Sequence, residues 1–135
     1  MSWEVTGTSG FAAGIDALVA AAEEAARLGV VAGAHLIEAN AKQSMNGPGP
    51  QVRTGTLRRS IGVVDTISLG RGIYQARVAP TVIYGRRMEL GFHGTDSLNR
   101  HYNQRAYPFL KPGLDKAIPQ LESVFAAAWQ RAMHI

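Results

Sequence analysis

The sequence predicts an α+β fold, with a long N-terminal helix and a C-terminal helix packed on a small antiparallel β-sheet. Two apolar stripes at helical spacing, one near each end of the chain, enclose a stretch of alternating residues broken by Gly-rich turns. A chain of 135 residues and 14.5 kDa suits one modest core, so residues 1–135 read as a single domain.

Each element follows from its local pattern. Residues 1–9 alternate apolar and polar around Trp3 and Val5, which suits an N-terminal arm or an edge strand. From about Gly10 to Gln43, Phe11, Ile15, Leu18, Ala22, Ala25, Gly29, Ala32 and Leu36 fall on one helical stripe. Its middle is built of small residues. Gly29 and Gly33 each cost a helix roughly 1 kcal/mol against Ala, so close approach of another backbone is the expected compensation. The helix must end before the turn-forming cluster Asn46-Gly47-Pro48-Gly49-Pro50.

Ile61, Val63, Ile67 and Leu69 alternate, with Asp65 interrupting, and form one face of a strand. Leu69-Gly70-Arg71-Gly72 turns the chain, and Ile73 to Ala79 returns with Tyr74, Ala76 and Val78 on one side. Thr81 to Leu90 fits a third strand or a short helix. The polar segment 91–107 (GFHGTDSLNRHYNQRAY) reads as a long flexible loop or a flexible hairpin. After it, Pro112 suits a first helical residue, and Leu114, Ile118, Leu121, Phe125, Ala128 and Ala132 form the second stripe. Pro119 is expected to kink that helix or to mark its true start.

Composition narrows the function classes. The sequence has no Cys, which removes disulfides, thiolate metal sites and cysteine nucleophiles. His35, His93, His101 and His134 lack metal-ligand spacing, and no phosphate-cradling glycine loop occurs. His93, Asp96, Ser97 and His101 are the one cluster worth testing as a site, but Ser, His and Asp crowded within nine residues rarely form a triad, so a structural or solvated-loop role is preferred. No metal, cofactor or catalytic residue is assigned, and the expectation is a protein that is not an enzyme. The start of the chain lacks a secretory pattern, and Leu28 to Ile37 is about half the roughly 20 residues that cross a bilayer, so no membrane partner is expected.

Charge is unevenly spread. The net +4 conceals −3 over residues 1–50, with two basic and five acidic side chains, and +7 over residues 51–135, with twelve and five. Eleven of the fourteen basic residues are Arg, the side chain suited both to carboxylate pairing and to phosphate contact. Arg58, Arg59, Arg86 and Arg87, with Tyr84 and Tyr107, therefore suggest either a solvated or subunit-facing surface, which is preferred, or a platform for nucleic acid. Glu89, a lone carboxylate among Arg residues, is expected to form an ion pair, with Arg58 or Arg87 pairing either with it or with an acidic residue of the next copy.

Three segments stand out as joints: Arg53 to Ile61 (RTGTLRRSI), Tyr84 to Gly91 (YGRRMELG) and Ala106 to Leu114 (AYPFLKPGL). Each pairs a backbone-shaping Gly or Pro with an apolar anchor and a basic residue. In this order between two helical ends, they resemble the tail-completion or head-tail joining proteins of tailed-bacteriophage necks. Thr54, Gly55, Leu57, Arg58, Ser60 and Ile61 match the first motif; Tyr84, Glu89 and Gly91 the second; Pro108, Phe109, Leu110, Pro112 and Leu114 the third. The chain departs from the family in two ways: Gly85 and Gly113 stand where the family usually has Ala, and the loop after Gly91 is long.

The resemblance implies a structural virion protein, assembled in the host cytoplasm into a homo-oligomeric ring of about six copies by analogy with the family. Its partners would be adjacent neck or tail-tube proteins, with genome DNA touched only transiently and non-specifically. Thr54, Gly55, Leu57, Arg58, Arg59, Ser60, Tyr84, Arg87, Glu89, Gly91, Pro108, Phe109, Leu110 and Pro112 are the expected assembly residues. The competing expectation is a small Arg-rich nucleic-acid-binding protein or ribonuclease-like toxin.

Overall fold

Two antiparallel helices form the spine of the molecule, as seen in a computed structural model that describes residues 8–45 and 55–133. The element order is α1 (Thr8–Ser44), α2 (Thr56–Ser60), β1 (Ile61–Gly70), β2 (Ile73–Pro80), α3 (Gly85–Leu90), β3 (Phe92–Thr95), β4 (His101–Gln104) and α4 (Leu110–Met133). The fold is α+β, and its strands form two separate two-stranded antiparallel sheets, β1–β2 and β3–β4. The expected arm partly overlaps α1, which already includes Thr8 and Ser9; residues 1–7 lie outside the described residues, as do 46–54.

Small residues set the α1–α4 distance. A Cβ on Gly113 would stand 2.7 Å from the Ala41 backbone nitrogen, and one on Gly29 would run into the Phe125 ring. Gly33 faces Leu121 in the same register, so the helices run antiparallel with Ala41 opposite Gly113 and Gly29 opposite Phe125. This close approach explains the small middle of the α1 stripe. It also corrects the α4 stripe in part: its member Ala128 is buried together with Gly113 and Ala117, which lie outside it, whereas its members Leu114, Ile118 and Phe125 stay 42%, 55% and 38% exposed. Backbone meets backbone where Gly113 crosses Ala41, while Phe125 and Leu121 pack over the bare positions of Gly29 and Gly33. Helix α4 begins two residues before Pro112 and continues through Pro119, whose side chain faces solvent.

The β1–β2 hairpin lies along α1, with its tip glycine Gly72 near Glu23. Val63 pairs with Val78 and Asp65 with Arg77, so Val64 is an extra residue in β1. The bulge reverses the alternation. Thr66 and Ser68 now share the inner face with Ala76 and Tyr74, while Ile67 and Leu69 turn outward beside the Asp65–Arg77 ion pair. The expected common face of Ile61, Val63, Ile67 and Leu69 is thus split in two.

The helix alternative for 81–90 is the one that forms, as α3. Segment 91–107 is the hairpin β3–β4 and not an irregular loop. Its turn is organised by Asp96, whose carboxylate accepts the backbone N–H groups of Leu98 and Arg100, both at 2.9 Å. Asn99 takes the left-handed conformation there (φ 62°), one of the few non-Gly residues that tolerate it.

Candidate functional site

The three joint segments converge on one cluster of buried side chains: Leu57 and Ile61 from the first, Phe109 from the third, and Ala41 and Met45 from the end of α1. Met88 of the second segment packs against it, with Val78, Val82 and Leu110. Phe109 and Ile61 are the largest fully buried side chains among the described residues. The joint is therefore within one chain: Leu57 and Phe109, expected among the assembly residues, are inside the fold and do not present themselves to a neighbour.

Glu89 holds the second segment to the third. Its carboxylate accepts the backbone N–H groups of Phe109 (2.7 Å), Leu110 (2.9 Å) and Lys111 (3.0 Å). Those are the first donors of α4, which have no partner inside the helix. The next position is Pro112, which has no N–H, and the first helical bond follows from Gly113 N–H to the Phe109 carbonyl at 3.4 Å. The start of α4 is thus fully satisfied by one carboxylate 20 residues upstream. This corrects the expected intrachain ion pair: within the described residues Glu89 caps a helix, a charge-assisted role that also suits the positive end of the helix dipole. Arg87 instead lies over the Phe92 ring, 4.0 Å from its centroid.

Backbone bonds and glycines complete the joint. The Tyr107 N–H donates to the Met88 carbonyl at 2.7 Å, and Thr81 N–H to the Ser60 carbonyl at 3.2 Å. Gly91 has φ 76°, and a Cβ there would meet the Gln104 carbonyl oxygen at 2.9 Å, so only glycine lets α3 pass into β3 beside the returning chain. Gly85 sits against Pro80, where a Cβ would stand 2.5 Å from the ring. Gly85 and Gly113, which depart from the motifs the segments resemble, are both sites of close approach. Ser44 ties α1 to the joint by donating to the Phe109 carbonyl at 3.0 Å.

The remaining expected residues are more peripheral. Gly55, left-handed at φ 77°, precedes α2, and Ser60 Oγ donates to the Leu57 carbonyl at 2.7 Å. Arg58 and Arg59 line a shallow basic depression with Lys42 and Gly55. Tyr84 precedes α3 and is 46% exposed; Pro108 and Pro112 are exposed, and Leu110 is half-buried. Thr54 lies outside the described residues.

Three apolar surfaces were not anticipated from the sequence. The first 13 residues of α1, 8–20, run beyond the end of α4, because the register sets Met133 opposite about Ala21. Phe11, Ile15, Leu18 and Val19 are 73%, 44%, 53% and 52% exposed on this overhang, although the first three belong to the stripe expected to be buried. The second surface is a groove of about 480 Å³ between α1, β2 and α4, walled mainly by aliphatic side chains and Phe125, with Lys111 its one charged lining residue. The β1–β2 hairpin adds an outward apolar face carrying Val64, Ile67, Leu69 and Ile73.

Among the described residues no three His, Asp or Glu side chains are grouped to hold a metal ion, and no described helix is long and apolar enough to cross a membrane. No protein-family model, curated protein or solved structure matches this chain.

Proposed function

We propose that this protein is a structural subunit of an oligomeric ring at the neck or upper tail of a tailed bacteriophage, completing the tail and joining it to the head. The motif resemblance supplies the identity. The observation that carries it physically is the distribution of apolar surface: five of the nine buried apolar residues described are Ala, while large side chains such as Phe11, Leu18, Leu69 and Ile73 are more than half exposed. Exposed apolar surface of this extent marks an interaction site, and a repeated contact that closes by rotation is what a ring requires. The intrachain joint would keep each subunit rigid where it meets the rings above and below. Electron microscopy of assembled particles tests the proposal: this chain should be found as a ring between portal and tail tube, and its absence from that position would overturn it.

The basic depression of Lys42, Arg58 and Arg59 favours the second reading, a nucleic-acid-binding protein. Phosphate-driven binding without a base-reading element falls steeply with salt and ignores sequence. Titration of two unrelated duplexes and a single strand over a salt series distinguishes them. Tight, sequence-selective binding at physiological salt would favour this reading over the ring.

A further inference from the structure

We infer that the basic depression between the last turn of α1 and α2 is a contact site for the phosphate backbone of duplex nucleic acid, held without regard to sequence. The inference goes beyond the ring reading and does not depend on it. The depression, about 360 Å³, is lined by Lys42, Gly55, Arg58 and Arg59, so its lining holds three cations and no acid. Cations held side by side repel, and an anion seated among them turns that cost into attraction.

Both walls are fixed from beneath. Arg58 and Arg59 stand on α2, whose Leu57 is buried in the central cluster and whose Arg59 N–H donates to the Gly55 carbonyl at 2.9 Å. On the other wall Glu38 accepts from the Lys42 ammonium at 2.8 Å, and Ser44 ties the end of α1 to the Phe109 carbonyl. The two guanidinium groups are uncommitted. Arg27, Arg77 and Arg100 each hold a carboxylate, whereas Arg58 and Arg59 have none among the described residues. Glu89, the partner expected for Arg58, is taken by the start of α4, and the segment 46–54 that joins α1 to α2 contains no acidic residue. A guanidinium fork without a carboxylate suits phosphate oxygens.

Phosphate fits better than the carboxylates of another copy. Glu24, Glu38, Asp65, Asp96 and Asp115 are already held by cations and Glu89 caps α4, which leaves Asp16, Glu23 and Glu122 among the described residues. A duplex instead presents one charge per roughly 1.7 Å of its axis, to a chain whose residues 51–135 carry a net +7. The shape limits what is read. Base edges lie at the floor of a groove, which a concave surface does not enter, so contact stops at the backbone. The lining has no aromatic ring on which an unpaired base could stack, and this favours duplex over single strand.

Fluorescence anisotropy of the full-length protein tests the site, with two short labelled DNA duplexes of unrelated sequence and one single strand, over a sodium chloride series. The wild type should bind both duplexes alike and the single strand more weakly. On duplex, Arg59→Gln should flatten the plot of log affinity against log salt by about 0.9, and Arg58→Gln with Arg59→Gln by about 1.8, at roughly 0.9 per lost phosphate contact. Arg131→Gln, which removes a charge from the last turn of α4, should leave the slope unchanged. Arg59 is exposed, so its single variant carries the test if the double variant melts early.

An unchanged slope in Arg59→Gln, or an equal change in Arg131→Gln, would overturn the site, as would no duplex binding at low salt. Tight binding that prefers one duplex would overturn the backbone-only contact. Displacement of the duplex by millimolar inorganic phosphate at constant ionic strength would reassign the depression to a free anion, and equal affinity for poly-glutamate would reassign it to an acidic protein; either overturns the inference. The expected shifts, with microscopy finding no copies at the neck, would support the site and reject the ring reading.

Discussion

The two ends of the helical pair are built on opposite plans. At one end, α2, α3 and the start of α4 close over Phe109, and Glu89 satisfies every available donor at the helix start. At the other, α1 continues past its partner with Phe11 73% exposed. The closed end has its polar groups paired and its largest ring buried. The open end keeps apolar surface in water, where it costs solvation free energy until another molecule covers it. A closed core and exposed apolar surface are thus separated along one helix, and substitutions at the two ends should differ in what they change.

Phe109→Ala should produce the largest effect, a loss of about 3–5 kcal/mol of folding stability, because it empties the centre of the buried cluster. Phe11→Ala is its counterpart at the open end and should leave the melt of the dilute protein within about 0.5 kcal/mol of wild type. Chemical denaturation of both variants checks the pair. Equal losses would remove the distinction between the ends.

Glycines sharpen the comparison by changing its sign. Gly113→Ala places a Cβ against the Ala41 backbone and should destabilise by roughly 1–3 kcal/mol. Gly14→Ala, in open space, should raise helicity by up to about 1 kcal/mol of propensity, read as far-ultraviolet circular dichroism. Glu89→Ala should cost about 1–2 kcal/mol by uncapping α4. A cycle combining Glu89→Ala with Arg58→Ala or Arg87→Ala should be additive in the monomer, since the carboxylate is committed to backbone donors.

The smallest effect concerns pH at the β3–β4 turn. The Arg100 backbone N–H holds the Asp96 carboxyl below its ordinary range, assisted by the Arg100 guanidinium, the Leu98 N–H and the Tyr102 hydroxyl, while desolvation opposes them. A carboxylate depressed in the folded state stabilises it above the unfolded pKa, and that contribution disappears as pH falls through the folded value. Amides in segment 92–104 should therefore lose exchange protection on acidification before the α1–α4 seam does. Asp96→Asn should make the hairpin indifferent over that acidic range.

Much of this architecture was legible in the sequence, for reasons particular to each element. Small residues at Ala25 and Gly29 announced a close helix contact, and the Gly70-Arg71-Gly72 turn announced the first hairpin. Alternation failed after Val63 because a single inserted residue inverts every later side chain, and periodicity carries no sign of where a bulge falls. In the second hairpin a signal was present: Asp96 followed by Asn99 is an Asx-type turn with a residue that tolerates positive φ. The capping role of Glu89 had no local signature. Its neighbours in sequence are Arg residues, while its partners arrive from 20 residues away through the fold. The stripe Phe11–Ile15–Leu18 was read correctly as apolar, but a pattern does not say whether its partner belongs to the same chain.

Amide hydrogen exchange on the dilute protein and on its assembled form tests the separation of the two ends most directly. The account predicts that the amides of Phe109, Leu110 and Lys111 are protected in both, and that those of residues 9–20 exchange rapidly in the dilute protein and slowly after assembly. Protection of residues 9–20 in the dilute monomer, or protection of the Glu89-bound amides only after assembly, would contradict it.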